Sequence, residues 1–209
     1  MNQNNISIGG ALIRRVSNVT TKLFAINFFT ALCCIPVITA GAALTAMHDC
    51  ALSVARKEDV AVFHRFFRVF RENFKQATLL WLPFLMIFAA ALADLFVLLV
   101  APEVLPTWIA VAAVSAAVVA FMIFQYVLPL QAHFENSVSG ILRSACILSV
   151  SCFPKTVIMV LVWAVPVYCF LKLTVTWPLV LMFGLSLPAF VCAKLYTGVF
   201  TTLEENARE

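Results

Sequence analysis

Three charged residues lie within or beside long apolar stretches of the sequence: Asp94, Lys172 and Lys194. A charged side chain in the hydrocarbon region of a membrane is costly, so such residues often mark an ion, proton or substrate path. Asp94 lies past the middle of its stretch, and Lys172 is expected at a similar outer depth. The two could therefore also form a purely structural pair. Lys194 is expected near the inner boundary, with its amine extended to the membrane surface or paired.

A second group of polar residues, His133, Glu135 and Asn136, follows an apolar stretch. A histidine beside a glutamate could relay protons, although polar residues at a membrane boundary are more often solvated or paired with basic side chains. Residues 48–50, His-Asp-Cys, offer too few ligands for a metal site. No nucleophile–base arrangement, phosphate-binding glycine loop or zinc spacing can be assembled. We therefore expect no enzymatic activity, cofactor or metal.

Residues 62–76 have the pattern of an amphipathic helix. Its aromatic side comprises Phe63, Phe66, Phe67, Phe70 and Phe74. Its basic side comprises Arg65, Arg68, Arg71 and Lys75. The favoured interpretation is an interfacial helix whose aromatic side enters the acyl boundary and whose basic side meets anionic headgroups. The alternative is a docking helix that presents its basic side to a cytosolic partner, and the two interpretations are compatible.

The composition identifies the solvent in which these elements fold. The chain has 209 residues, of which 63% are hydrophobic and 11% charged, and its mean hydropathy is +1.01. Soluble domains have about 45–50% apolar and about 25% charged residues. This composition excludes most soluble enzymes and disordered chains, and it offers no nucleic-acid-binding surface. The long continuous apolar stretches favour helices over the alternating strands of a barrel. We predict an all-α, polytopic transmembrane helical bundle.

Five hydrophobic segments are predicted in a single membrane domain: 23–47, 78–100, 107–129, 156–172 and 178–200. They are separated or flanked by an N-terminal segment (1–22), a loop (48–77), a short Pro-containing link, a partly amphipathic linker helix (130–155) and a tail (201–209). Six of the fourteen Lys and Arg residues fall within 48–75. Because basic residues collect in cytoplasmic loops, this loop and the C-terminal tail are expected to be cytoplasmic.

Two arrangements are open for the first hydrophobic segment. We slightly favour a single span over residues 23–47, kinked or broken at Pro36 or Gly41. The alternative is a break into two arms, 11–34 and 39–55, which enter the membrane and return. That alternative places nearly every basic residue on the cytoplasmic side. It also inserts Arg14, Arg15 and Lys22 in one arm and His48 and Asp49 in the other, which is costly if they are deeply inserted.

Three stretches resemble motifs of the YesL-like family of bacterial membrane proteins. Residues 36–46 are similar to its P-I-V-T-x-G-A-x-x-T-A signature, residues 66–78 to F-F-x-x-F-x-x-N-F-K-Q-A-T, and residues 126–137 to Y-x-x-P-L-x-x-x-F-E-N-S. Residues 183–186 are similar to part of its last segment. The order and spacing cover nearly the whole chain. The matched positions that we expect to be structural are Pro36, Thr39, Gly41, Thr45, Asn73, Pro129, Glu135 and Asn136.

The resemblance implies a protein of the bacterial cytoplasmic membrane whose family has no assigned activity. Family members are typically encoded near carbohydrate-uptake and polysaccharide-degradation systems of Gram-positive bacteria. This association implies an accessory subunit of an ABC-type carbohydrate importer, with the lipid bilayer and the importer as partners. Two alternatives remain open, a small stand-alone transporter or channel and a non-transporting scaffold or sensor partner.

Overall fold

The computed structural model describes residues 3–58, 61–101, 103–104, 106–133 and 137–206, with side chains from residue 17 to residue 198 in those ranges. The described chain is helical throughout, which confirms the all-α prediction. The helices are α1 (Gln3–Cys34), α2 (Ala40–Ala55), α3 (Val62–Val100), α4 (Thr107–His133), α5 (Val138–Ser151), α6 (Phe153–Lys172), α7 (Trp177–Phe183) and α8 (Ser186–Asn206). Short 3-10 turns occupy Val37–Thr39 and Thr174–Thr176.

Four helical stretches within the described residues are long and apolar enough to cross a membrane. They are Val37–Ala55, Val62–Val100, Thr107–His133 and Phe153–Lys172. Helices α7 and α8 meet at a bend of 57° and together can form a fifth, broken span. The predicted polytopic helical bundle is therefore confirmed.

The first hydrophobic segment is divided into α1 and α2 by a break that contains Pro36. Proline has no N–H group to continue the helix, and it disfavours helical backbone at the preceding residue, Ile35. Gly41 lies inside α2 and not at the break. The two helices pack against each other. The predicted break at Pro36 is therefore confirmed, whereas the choice between a single kinked span and two arms that enter the membrane and return stays a prediction.

The turn between α1 and α2 is reinforced by side chains. The Thr39 hydroxyl lies 2.5 Å from the carbonyl oxygen of Cys33 and 2.8 Å from that of Pro36, so it can donate to either. The indole N–H of Trp81, at the middle of α3, donates to the Val37 carbonyl at 2.9 Å. The carbonyls of Pro36 and Val37 also accept the backbone N–H groups of Thr39 and Ala40, so the side chains of Thr39 and Trp81 reinforce the turn.

Helix α3 joins the amphipathic segment and the next span into one element of 39 residues, about 58 Å at 1.5 Å per residue. No glycine or proline interrupts residues 62–82, and Pro83 is accommodated within the helix. The amphipathic segment therefore continues into the span without a break, and it does not form a separate helix.

The helices differ sharply in how far the rest of the chain covers them. In the most apolar 18-residue part of the α2 span, 78% of the residues are buried within the protein. The corresponding share is 11% for α3, 17% for α4 and 11% for α6. Helix α2 is packed by α1, α3, α4 and α8. It is thus the central helix, and its side chains form the core.

Candidate functional site

The central helix α2 carries a line of polar residues into the core. Thr45, His48, Asp49 and Ser53 are all at least 97% buried, and their spacing places them along one side of a helix. The hydroxyls of Thr45 and Ser53 donate to backbone carbonyls one turn earlier on α2. The two titratable side chains, His48 and Asp49, have partners on other helices.

Asp49 forms a two-contact ion pair with Arg65 at the start of α3. The Arg65 Nε lies 2.5 Å from Asp49 Oδ2, and its Nη2 lies 3.1 Å from Oδ1. The third nitrogen of the same guanidinium, Nη1, donates to Glu58 at 3.0 Å. This fork matches a planar carboxylate and satisfies both of its oxygens. One basic side chain thus ties α2, the following loop and α3 together.

Arg65 is therefore not part of the exposed basic side on which the sequence placed it. Its side chain is 21% exposed because it folds toward α2. Arg68, Arg71 and Lys75 remain exposed on α3. They occur at i, i+3 and i+7, so they share one side of the helix. We call these three residues the basic surface.

The aromatic side of α3 faces the protein more than the membrane. Phe66 is completely buried, and the ring of Phe29 on α1 lies 5.5–5.9 Å from the rings of Phe63, Phe66 and Phe67. Phe67, Phe70 and Phe74 are half-buried, and Phe63 is exposed. The prediction that this side enters the acyl boundary is therefore wrong for Phe66, because α1 and α2 cover the position.

Further polar contacts connect α2 to the other helices. His48 Nδ1 lies 3.4 Å from the Tyr196 hydroxyl on α8, and its ring lies 6.4 Å from that of Trp163 on α6. At the end of α2, Arg56 Nη1 lies 3.2 Å from His133 Nε2 on α4. His133 thus contacts a basic side chain. The other member of the suggested relay, Glu135, lies outside the described residues, as does Asn136.

The charges expected within the spans are not brought together. Asp94 is half-buried near the C-terminal end of α3, and Lys172 is exposed at the C-terminal end of α6. The structure shows no ion pair between them among the side chains it describes. Lys194 on α8 is exposed, and its amine lies 4.5 Å from the centre of the Phe190 ring.

The described family-motif residues have structural roles. Gly41 provides close contact with α3, since a Cβ at this position would lie 2.5 Å from the Trp81 Cβ and 2.7 Å from the Ala77 carbonyl oxygen. Asn73 donates to the carbonyl of Val69 at 3.1 Å. Pro129 is buried within α4. Pro36, Thr39 and Thr45 shape the break and α2, as described above.

Sequence reasoning missed Asn27, which holds the bend between α7 and α8. Its Nδ2 donates to the carbonyl of Leu181 at 2.8 Å, and its Oδ1 accepts from the backbone N–H groups of Leu185 and Ser186 at 2.9 and 3.1 Å. A lone amide in the otherwise apolar stretch 23–34 was the available signal, because polar side chains in spans usually face protein. Gln125 and Gln131 on α4 carry the same signal.

Two apolar spaces adjoin in the bundle. A cleft of about 880 Å³, which we call the outer cleft, opens between residues 88–95 of α3, 114–121 of α4 and 160–171 of α6. A smaller cavity of about 230 Å³ lies farther in and includes His48 and Gln125 in its lining. Phe88, Phe121 and Trp163 line both spaces. Within the described part of the chain, no three His, Cys, Asp or Glu residues are grouped so that they could hold a metal ion.

The apolar spans around an enclosed polar helix define a multi-pass helical membrane protein. Residues 22–95 match the model of a family described as "Protein of unknown function, DUF624". This is the YesL-like family, so the resemblance seen in the motifs at residues 36–46 and 66–78 is confirmed. The match contains the break at Pro36, the Asp49–Arg65 pair and the basic surface. No curated protein and no solved structure matches the chain.

Proposed function

We propose that the chain is a non-enzymatic accessory subunit of an ABC-type carbohydrate importer in the bacterial cytoplasmic membrane. The observation that carries the proposal is the basic surface, Arg68, Arg71 and Lys75, exposed on the first part of α3. In this proposal the surface faces the cytosol, as does the C-terminus, and it docks onto an acidic surface of the importer.

The packing of α3 supports docking over simple membrane anchoring. The aromatic side that would enter the lipid as an anchor includes the fully buried Phe66, which packs on Phe29. The helix is held by the protein itself, so its three exposed cations are presented at fixed positions. Glu72 is also exposed beside these cations, so the surface has a net positive charge, and such a surface increases the rate and selectivity of association with a complementary one. The link to carbohydrate uptake rests on the family resemblance.

The alternative of a stand-alone transporter or channel has less structural support. The described residues that line the outer cleft are apolar apart from the hydroxyl of Tyr168. Neither Asp94 nor Lys172 is among them. A scaffold or sensor partner would use the same basic surface without a contribution to transport, so it is separated from the proposal by the identity of its partner.

Co-purification from native membranes in a mild detergent, followed by mass spectrometry, tests the proposal. We expect the wild-type chain to retain importer components at low salt. The triple variant Arg68→Gln, Arg71→Gln and Lys75→Gln should lose most of them while still inserting into the membrane. A matched control replaces three other exposed cations, Arg143, Lys155 and Lys172, by Gln, and it should retain the importer. Recovery of no importer component, or equal recovery with both triple variants, would overturn the proposal.

A further inference from the structure

Helix α5 is too short to cross a membrane, although it joins two helices that can. Its 14 residues extend over about 21 Å at 1.5 Å per residue, whereas the hydrocarbon core is about 30 Å thick. Its last turn is linked to α4 through Thr156 of α6, whose hydroxyl lies 3.0 Å from the Tyr126 hydroxyl and 3.1 Å from the Ser149 carbonyl oxygen. Tyr126 lies two turns before the end of α4. Helix α5 is therefore placed beside the last turns of α4, at one end of the bundle.

The two sides of α5 differ in what covers them. Ile141, Ala145 and Leu148 are buried, and the helix packs mainly on α4. The exposed residues occur at i, i+4, i+7, i+8, i+11 and i+12, so they share the opposite side of the helix. They are Ser139, Arg143, Cys146, Ile147, Val150 and Ser151. We call this side the α5 surface.

The α5 surface and the turn that follows it combine apolar and basic side chains. Ile147, Val150 and Phe153 are exposed, Val150 to 76%. Arg143 precedes these three residues and Lys155 follows them, and both cations are exposed. Neither cation has an ion-pair partner among the described side chains. Water alone would leave the apolar side chains exposed to it, and hydrocarbon alone would leave the cations without hydration or a counter-ion.

The charge of this part of the chain indicates what could cover it. The sequence contains no Asp or Glu from residue 137 to residue 203, so the α5 surface is basic without compensation from its own segment. It lies at the end of the bundle where Arg56 contacts His133, which is the end expected to be cytoplasmic. The boundary layer of a membrane offers acyl chains to apolar side chains and headgroups to cations within about 5–10 Å.

We propose that the α5 surface lies in the headgroup layer and binds anionic phospholipid. Arg143 and Lys155 pair with lipid phosphates, and Ile147, Val150 and Phe153 pack against the acyl chains. Each basic residue near a membrane surface increases the preference for anionic lipid by about fivefold. The proposal does not involve the basic surface of α3, so it stands or falls independently of the importer.

Spin labels in nanodiscs of phosphatidylcholine and phosphatidylglycerol test where the α5 surface lies. Ile147→Cys and Val150→Cys each carry a nitroxide, in a chain whose native cysteines are replaced by Ala. We expect both labels to be more accessible to oxygen, which dissolves in lipid, than to a water-soluble nickel chelate. Arg68→Cys on the basic surface is the comparison and should show the reverse. Preferential access of the chelate to residues 147 and 150, or exclusion of both reagents by a protein cover, overturns the proposal.

Photolabelling of the chain with its native cysteines tests the preference for anionic lipid. The probes are phosphatidylglycerol and phosphatidylcholine with the same diazirine group near the headgroup, and mass spectrometry measures labelling of residues 139–155. We expect phosphatidylglycerol to label this segment more strongly. The ratio of the two labelling yields should fall by about fivefold for each cation removed in Arg143→Gln and in the double variant with Lys155→Gln.

The matched control for photolabelling is the double variant Arg68→Gln, Arg71→Gln. It removes two exposed cations from α3 and should leave the ratio of labelling yields at residues 139–155 unchanged. It should weaken co-purification of the importer, whereas Arg143→Gln, Lys155→Gln should retain the importer, so the two proposals fail separately. Equal labelling by both probes in the wild-type chain, or an unchanged ratio in Arg143→Gln, Lys155→Gln, would show that the α5 surface does not select anionic lipid.

Discussion

Two regions of the molecule differ in how far their side chains are covered by the rest of the protein. The inner region consists of α2 and residues 62–81 of α3. The polar side chains of α2 from Thr45 to Ser53 are enclosed by neighbouring helices, whereas the basic surface of α3 is exposed. The outer region consists of residues 82–100 of α3, the first half of α4 and most of α6. Most of its large apolar side chains are not covered by the rest of the chain. Both regions include part of α3, so this one helix belongs to the inner region in its first part and to the outer region in its second part.

The difference shows where the protein specifies its structure. Lipid tails are as apolar as the side chains of the outer region, so burying those side chains gains little there. In the inner region, unsatisfied polar groups would cost several kcal/mol each away from water, and only particular helix positions satisfy them. Pairs such as Asp49–Arg65 therefore determine how α2 and α3 are aligned. The outer region can stay loosely packed and contain an open cleft.

Breaking the Asp49–Arg65 pair should have the largest effect on stability. Asp49→Ala leaves the Arg65 guanidinium half-buried with only Glu58 as partner, and removing one member of a buried ion pair costs about 3–5 kcal/mol. The measurement is the free energy of unfolding in mixed micelles. The double variant Asp49→Leu, Arg65→Met should recover much of this loss because it leaves no buried unpaired charge. Glu58 also loses Arg65, but its side chain is 40% exposed and can be solvated.

Asp94→Asn is the matched control, because it neutralises an aspartate of the outer region. Asp94 shows no ion pair with Lys172, so its neutralisation should leave the free energy of unfolding unchanged or slightly higher. An equal loss in Asp49→Ala and Asp94→Asn would contradict the distinction between the regions.

The sequence was sufficient for the features that depend on local pattern. Continuous apolar stretches predicted the spans, the absence of an N–H group in Pro36 predicted a break, and the phenylalanine spacing predicted a helix. It could not show that α3 continues from the amphipathic segment into the span. Nor could it show that Phe66 is covered by Phe29, because that contact joins residues far apart in the chain. Nor could it show that Asp49, whose insertion counted against the two-arm arrangement, is paired with Arg65.

The same limit applies to the candidate site. Arg65 looked equivalent to Arg68 and Arg71. Helical spacing shows which residues share a side of a helix, but it does not show which other helices they contact. Only the packing of α2 shows that Arg65 turns inward. The amide of Gln125 was visible as a polar residue in an apolar stretch, but the cavity beside it is formed by four helices and the turn between α7 and α8.

Gly41→Ala should have an intermediate effect, because the inner region requires close contact between α2 and α3. The added Cβ would lie 2.5 Å from the Trp81 Cβ, so the helices must separate. Overpacking of this kind costs about 1–3 kcal/mol. Gly198→Ala on α8 is the control, since a Cβ there meets no atom within 4 Å, and it should be neutral or stabilising by up to about 1 kcal/mol. Chemical unfolding of both variants in the same detergent provides the measurement. A loss of stability in Gly198→Ala as large as that in Gly41→Ala would show that the effect does not arise from the close contact between α2 and α3.

The smallest effect is expected from shortening an apolar side chain in the outer region. Leu92 is 66% exposed on α3, whereas Leu80, twelve residues earlier on the same helix, is 2% exposed. Leu80→Ala removes packed methyl groups from the core and should cost about 2–5 kcal/mol. Leu92→Ala exchanges contacts with lipid for other contacts with lipid, so it should change the free energy of unfolding by less than about 0.5 kcal/mol, as for other exposed positions. Unfolding in lipid bicelles measures both values with the lipid contacts retained. If Leu92→Ala were as destabilising as Leu80→Ala, the outer region would have to be covered by protein, for example by an importer subunit or a second copy of the chain, and the cleft would not be open to lipid.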